Sequence, residues 1–349
     1  MPIIRHLIID AFGAHLGKYS QRLKVTCKGE TLAQAPLLHL QSVTIAGRGV
    51  SLSAEAVREC CERGIPIHFI GHRGDAYASL YSAGLTGTVA TRRAQFAAYA
   101  QPVGLQLVLA WTTAKLHNQS NLLKYVAKYR KETAPDLYET LRLHAAEILD
   151  GLIEIDQFTA AAPDAQESPT VDDLRARLMG LEGAAARRYW EAIRRVVPEK
   201  YAFPGRKGRG AEDPLNSALN YGYGILYGQV ERCLVLAGLD PYAGFLHVDR
   251  PGKPSLTLDF IEEFRQPVVD RTVIGLANKN VAIEQDDHQR LTQETRRMLA
   301  DKVLARLDGE VGYEGKNHSL RAVMQAQARH AAAFLRAERP AYTPFVMTW

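Results

Sequence analysis

Over residues 1 to about 85, apolar and polar side chains alternate. Ile3 to Ile9, Arg22 to Thr26 and Leu38 to Ile45 each turn every second residue to the same side, the period of half-buried strands, and Lys28-Gly29-Glu30 reads as a turn. One short helix interrupts them, opened by Ser53 with Glu55 in its first turn and closed by Gly64. Strands are predicted again at Ile65 to Ile70 and Ala76 to Tyr81. From about Thr91 the period becomes helical, carried by Gln106, Val108, Leu109, Trp111, Thr112, Leu116, Leu122, Leu123 and Val126, with few strand signals afterwards. The pattern predicts an α+β chain: a small N-terminal β-strand domain over residues 1–87, then a larger all-α domain over 91–349. Two polar loops are expected in the helical part, Ala160 to Thr170 and the glycine- and arginine-rich Phe203 to Asp213. No internal repeat or long low-complexity tract is present in the sequence.

Composition narrows the class. With 349 residues, 46% hydrophobic and 23% charged, the chain is neither disordered, collagenous nor coiled-coil. Its length exceeds what one core usually serves, which agrees with two domains. The apolar runs, such as Val103 to Trp111, interrupted by Gln106, and Cys233 to Leu239, fall well short of the ~18 apolar residues that cross a bilayer, so no membrane segment is expected. The first ten residues show no export signal, and Cys27, Cys60, Cys61 and Cys233 have neither zinc nor redox-pair spacing. A reducing, cytoplasmic location is the expectation.

Three features carry candidate chemistry. Glu182 shares a helical face with Leu174, Leu178, Ala185 and Tyr189, so it is a carboxylate on an apolar stripe. It is either a stripe-edge residue paired with Arg187 or Arg188, or a metal ligand. The second feature is Gly244 to Arg265 (GFLHVDRPGKPSLTLDFIEEFR). An apolar run there ends in His247, and a Pro-Gly-Lys-Pro turn leads to a helix bearing Asp259, Glu262 and Glu263. Residues 259 and 262 stand at i, i+3, so two carboxylates can converge, an arrangement that a divalent ion compensates. The bland alternatives are solvated glutamates paired with Arg265 and a core histidine. One imidazole with two or three carboxylates suits Mg²⁺ or Mn²⁺ better than zinc. The third feature is charge: residues 187–210 hold eight arginines and lysines (Arg187, Arg188, Arg194, Arg195, Lys200, Arg206, Lys207, Arg209) against Glu191 and Glu199, a larger excess than the +5 of the whole chain. Interleaved with Tyr189, Trp190 and Tyr201, this run reads as a phosphate-backbone site or a solvated face. Gly222-x-Gly224-x-x-x-Gly228 lacks dinucleotide spacing, and neither G-x-S-x-G nor a P-loop occurs.

These segments together resemble a known family. LEGAAARRYW around Glu182, RKGRGAEDPLNSALNYGYGILYG at 206–228, GFLHVDRPGKPSLTLDFIEEFR at 244–265 and the terminal YTPFVMTW are similar to the CRISPR-associated adaptation integrase, a metal-dependent DNA endonuclease of spacer acquisition. SLSAEAV, GIPIHFIG and KLHNQSNLLK extend the resemblance over nearly the whole chain. It implies Glu182, His247 and Glu262 as ligands of Mg²⁺ or Mn²⁺, Asp259 as the supporting catalytic acid, Asn216 as the asparagine of a DP-x-N motif, and Arg206, Lys207 and Arg209 as a basic DNA-binding loop. Arg187 and Arg188 join that DNA-binding set from the charge run. Gly-Ala-Glu stands before Asp213-Pro214 where many members have prolines, and Phe260 where an aliphatic residue is common. The resemblance further implies a homodimer, formed through the β domain, with a small ferredoxin-like CRISPR-associated partner nuclease. That assembly would insert short DNA fragments into a repeat array by 3′-hydroxyl transesterification. Two other readings compete. His247-Val248-Asp249 forms an H-x-D triplet that a nonheme iron oxygenase would complete with His288 or His318, and the basic run alone would suit a DNA-binding scaffold without catalysis.

Overall fold

The computed structural model describes residues 4–71, 76–80, 88–160, 169–208 and 210–349. The N-terminal part contains β1 (His6–Ile9), β2 (His15–Tyr19), β3 (Arg22–Cys27), β4 (Glu30–Pro36), β5 (Ser42–Ile45), β6 (Ser51–Leu52), α1 (Ala54–Glu62), β7 (Ile67–Ile70) and β8 (Ala76–Leu80). They form two four-stranded sheets, in the orders β1-β5-β7-β8 and β4-β3-β2-β6. In β3 the alternation is obeyed: Leu23 and Val25 are buried while Arg22 and Lys24 point away. In β5 it disappears, because this strand lies between parallel partners β1 and β7 and is covered on both faces. Leu7, Ile9, Leu16, Leu23, Val43 and Ile67 belong to the shared core. Helix α1 starts where Ser53 caps the Ala56 amide at 3.1 Å and stops before Gly64, whose φ of +66° favours a residue without Cβ.

Two segments depart from the sequence pattern. The alternation at Leu38 to Gln41 is not strand: Pro36 ends β4, and the chain folds into a turn in which His39 and Leu40 amides bond back to Pro36 and Leu37 carbonyls. The C-terminal part is mostly helical rather than all-α, since residues 310–319 form a hairpin. The expected end of the β domain, residues 81–87, and most of the 160–170 loop lie outside the described residues.

The helical part comprises α2 (Thr88–Ala98), α3 (Pro102–Lys128), α4 (Pro135–Leu149), α5 (Gly151–Ala160), α6 (Val171–Val196), α7 (Pro214–Leu236), α8 (Ser255–Phe260), α9 (Arg271–Asn278), α10 (Gln293–Asp308), the hairpin β9 (Glu310–Tyr313) with β10 (Lys316–Ser319), and α11 (Leu320–Leu335). Local chemistry sets several starts: proline in the first turn of α3, α4 and α7, a Thr170–Asp173 capping box on α6, and the Asp213 carboxylate on the Asn216 amide for α7. Between α8 and α9 the chain stays helical but changes pitch, through a 3₁₀ turn at Ile261–Glu263 and a π turn at Arg265–Asp270. Helix α3 runs through the centre, against α4, α6 and the 3₁₀ turn. Trp111 of α3 ties neighbouring segments together, its ring lying about 6 Å from those of Phe245, Phe260 and Tyr342. Helix α7 meets the strands at Gly228, where a Cβ would lie 3.1 Å from the His68 ring. Among the described residues, no helix is long and apolar enough to cross a membrane.

Candidate active site

Glu182 lies in the middle of α6, where its apolar stripe packs on α3. Its burial is balanced by α3: Thr112 Oγ1 donates to Glu182 Oε1 at 3.1 Å and Lys115 Nζ to Oε2 at 2.9 Å. The partner is therefore Lys115 and not Arg187 or Arg188, which are exposed on the outer face of α6. Arg188 pairs there with Glu147 at 3.3 Å.

Glu262 comes to the same place from the 3₁₀ turn. Its Oε2 lies 3.2 Å from Lys115 Nζ and its Oε1 3.4 Å from Arg265 Nη1. Glu262 and Glu263 are both buried, which removes the solvated reading. Burial alone would raise the Glu262 pKa, yet Arg265, Lys115 and His247 together hold it below the ordinary carboxylate range. Burial likewise works against the Lys115 charge, and the two glutamates outweigh it, so its pKa is raised. Two carboxylates and two cations thus occupy one cluster, in which Lys115 and Glu262 are buried and Glu182 and Arg265 half-buried.

Asp259 does not join Glu262 on a shared point, despite the i, i+3 spacing. The pitch tightens after Phe260, and the Asp259 carboxylate turns to the 244–247 loop. It accepts the Phe245 and Leu246 amides on Oδ2 (2.7 and 3.1 Å) and the His247 amide on Oδ1 (3.0 Å). It also pairs with His247 Nδ1 at 2.6 Å. One buried carboxylate therefore folds the loop and orients the imidazole, leaving Nε2 directed elsewhere. Arg175 of α6 clamps the other side of that loop, donating to the Phe245 carbonyl at 2.8 Å and also to that of Leu246. Glu263 points away from this cluster, bonded by Tyr342 Oη and, at 2.9 Å, by the Phe345 amide, so the C-terminal segment is fastened to the same turn.

The basic loop reaches the cluster through aromatic rings. Arg206 and Arg265 guanidinium carbons lie 5.2 and 4.9 Å from the Tyr223 ring centroid. Arg206 also donates to Asn216 Oδ1 and Asn220 Oδ1. Asn216 spends its polar atoms inside the loop: Oδ1 accepts from the Lys207 amide, and Nδ2 donates to the Gly205 carbonyl and to Asp213. It shapes the loop and does not adjoin Glu182 or Glu262 in any hydrogen bond described. Lys207 is exposed, and Arg209 lies outside the described residues. A cavity of about 800 Å³ opens beside the cluster, lined by Arg206, Asn220, Tyr223, Arg265, His288 and Arg290 among others.

The H-x-D reading fails on partners, since Asp249 accepts from Ser255 Oγ while His247 faces Asp259. No three His, Cys, Asp or Glu side chains among the described residues stand close enough together to hold a metal ion as placed. The donor set nevertheless suits one in kind. Glu262 Oε2 is buried without an aligned hydrogen-bond donor, and His247 Nε2 takes no hydrogen bond among the described residues. Arg265 pairs with Glu262 as its i, i+3 spacing allows, whereas Lys115 and Arg175 belong to none of the candidate features in the sequence. Lys115 carries the signal that exposed Glu182, a charge one helical turn from Trp111 on an apolar stripe.

Residues 7–304 match the family model described as CRISPR associated protein Cas1. A CRISPR-associated endonuclease Cas1 of Archaeoglobus fulgidus is 38% identical, over 98% of this chain and 99% of its own. Among solved structures, a casposase bound to integration product superposes with a TM-score of 0.80 at 22% identity, over 97% of this chain and 93% of that one. A chain of a Cas6-RT-Cas1–Cas2 complex gives 0.73 at 21% identity, over 99% of this chain and 36% of that one.

Proposed function

This chain belongs to the Cas1 family of CRISPR-associated proteins, and we propose that it is a metal-dependent DNA endonuclease and integrase that inserts short DNA fragments into a CRISPR repeat array. The observation that carries this reading is the meeting of Glu182 and Glu262, from separate helical segments, on the Lys115 ammonium, with the imidazole held by Asp259 near enough to act on the Glu262 charge. Glu182, Glu262 and His247 Nε2 would hold Mg²⁺ or Mn²⁺. The ion would supply Lewis-acid stabilisation of the charge that builds on a phosphoryl group during attack by a DNA 3′-hydroxyl. The protein's own share is positional. Asp259 fixes which His247 nitrogen faces the site, Arg175 and Asp259 together hold the loop backbone, and Arg265 neutralises the outer oxygen of Glu262. Arg206, Arg265 and Arg290 line the adjoining cavity, which suits a phosphodiester backbone, while Lys207, Arg187 and Arg188 extend positive charge over the surface.

The proposed partners are duplex DNA, a second copy of this chain, and a small ferredoxin-like CRISPR-associated nuclease. The test is strand transfer by the purified protein on a DNA fragment and a repeat-containing target. Activity should appear with Mn²⁺ and vanish with EDTA. Glu182→Ala should abolish it while the folded protein still binds DNA. Full strand transfer by that variant would sink the assignment of Glu182, and metal-independent transfer would sink the mechanism. DNA binding without any strand transfer in the wild-type protein would leave the scaffold reading in its place.

A further inference from the structure

The gap between Glu182 and Glu262 already contains a positive charge. Lys115 Nζ lies 2.9 Å from Glu182 Oε2 and 3.2 Å from Glu262 Oε2, and its stem is buried in α3. The other oxygens are taken from outside, Glu182 Oε1 by Thr112 and Glu262 Oε1 by Arg265. Among the described residues the ammonium is thus the one group that touches both inner oxygens, and it sits between carboxylates that would otherwise repel across a low-dielectric gap. An Mg²⁺ or Mn²⁺ ion needs such inner oxygens at about 2.1 Å. It would also meet the full repulsion of an ammonium at hydrogen-bonding distance from the same atoms. Lysine suits a role in which the charge must move: it is a point charge on a flexible four-carbon stem, without the fixed fork of arginine.

We infer that Lys115 is a built-in counter-ion of the metal-free site, which holds Glu182 and Glu262 together and leaves the gap when a divalent cation enters. The inference rests on the metal reading proposed above and adds a competitor to it. Metal affinity is then lowered by the cost of displacing Lys115, and the metal-free protein is stabilised by keeping it.

The test uses the full chain and Mn²⁺ alone. Lys115→Met keeps most of the length of the unbranched side chain and removes the charge. Titration calorimetry, with electron paramagnetic resonance to count bound ions, should show Mn²⁺ bound at least tenfold more tightly by the variant. The variant's metal-free melting temperature should be lower than the wild type's, and its rise with Mn²⁺ larger. A second measurement needs no variant. Acetylation of the wild-type protein with acetic anhydride, read by mass spectrometry, should leave Lys115 protected without metal and reactive at saturating Mn²⁺, with exposed Lys207 as the internal standard. Equal or weaker Mn²⁺ binding by the folded variant overturns the counter-ion role. So does protection of Lys115 that persists with Mn²⁺ bound, and in both cases the metal reading still stands. Absence of Mn²⁺ binding to either protein removes the metal reading and this inference with it.

Discussion

The individual residue that does most for the site is Asp259, which accepts three backbone amides and one imidazole nitrogen. An amide in its place offers one acceptor oxygen and turns an NH₂ group toward backbone donors. Asp259→Asn should therefore lower stability by about 3 kcal/mol, the range for breaking a buried charge-assisted network. It should also weaken Mn²⁺ binding on the order of 10 to 100-fold, because the imidazole loses its orientation. Denaturant unfolding and calorimetric titration check the two parts. Wild-type stability in the variant would show that the 244–247 loop is held by Arg175 alone. Glu182 behaves differently on this scale. Its removal leaves Lys115 with Glu262 as its remaining carboxylate, so Glu182→Ala exchanges one paired buried charge for a weaker pairing and need not cost the fold.

Among the elements, the π turn Arg265–Asp270 is where pitch and chemistry meet. The wider turn directs Asp270 into the core between Tyr189 and Tyr223, which both donate to it. It also brings Val269 against α7 at Gly222, where a Cβ would come within 2.7 Å of Val269 Cγ1. Burial pushes the Asp270 carboxyl up to about 6, against the pull of its tyrosine and arginine neighbours. The folded protein then holds a proton that the unfolded chain releases near pH 4, so this group favours folding fully below that point and progressively less as pH rises to about 6. Stability should fall by about 3 kcal/mol across that window from this group, and Asp270→Asn should flatten the slope. Thermal melts of both proteins at pH 4 and pH 7 measure it. An equal slope in the variant would place the titration elsewhere.

Across the whole molecule, the strand-rich and helical parts are joined by a polar contact. His6 of β1 bonds Ser42 by Nδ1 and Asp308 by Nε2, and Arg321 of α11 completes the group. The apolar residues of the 65–80 segment are mostly enclosed within the chain: Ile65 and Ile67 are buried, while Phe69 and Leu80 pack on the same core. Phe12 and Leu38, 78% and 82% exposed, stand on the N-terminal part without such cover. If the β domain forms the proposed dimer, the full chain should sediment as a dimer without DNA, and Phe12→Asp with Leu38→Asp should shift it to monomer with little change in melting temperature. Analytical ultracentrifugation decides between them, and a dimer that survives the double substitution moves the interface to the helical part.

The order of strand-rich and helical parts was legible in the residues because it depends on local period, and so were the caps at Ser53 and Asp213, which act within one turn of chain. Glu182 was legible as well, since a charge on an apolar stripe breaks a pattern that one helix displays by itself. β2 and β4 were missed because half-exposed or edge strands need not alternate cleanly, and the hairpin at 310–319 because its two four-residue strands are short, mostly exposed and poor in apolar residues. The helical spacing of Asp259 and Glu262 suggested convergence, but the change to 3₁₀ pitch, fixed by packing against α3, separated them into an orienting carboxylate and a site carboxylate. The meeting of Lys115, Glu182 and Glu262 joins residues far apart in the chain. No local propensity encodes that distance, and tertiary packing decided it by enclosing Lys115 and Glu262 with the half-buried Glu182, where each charge alone would be costly.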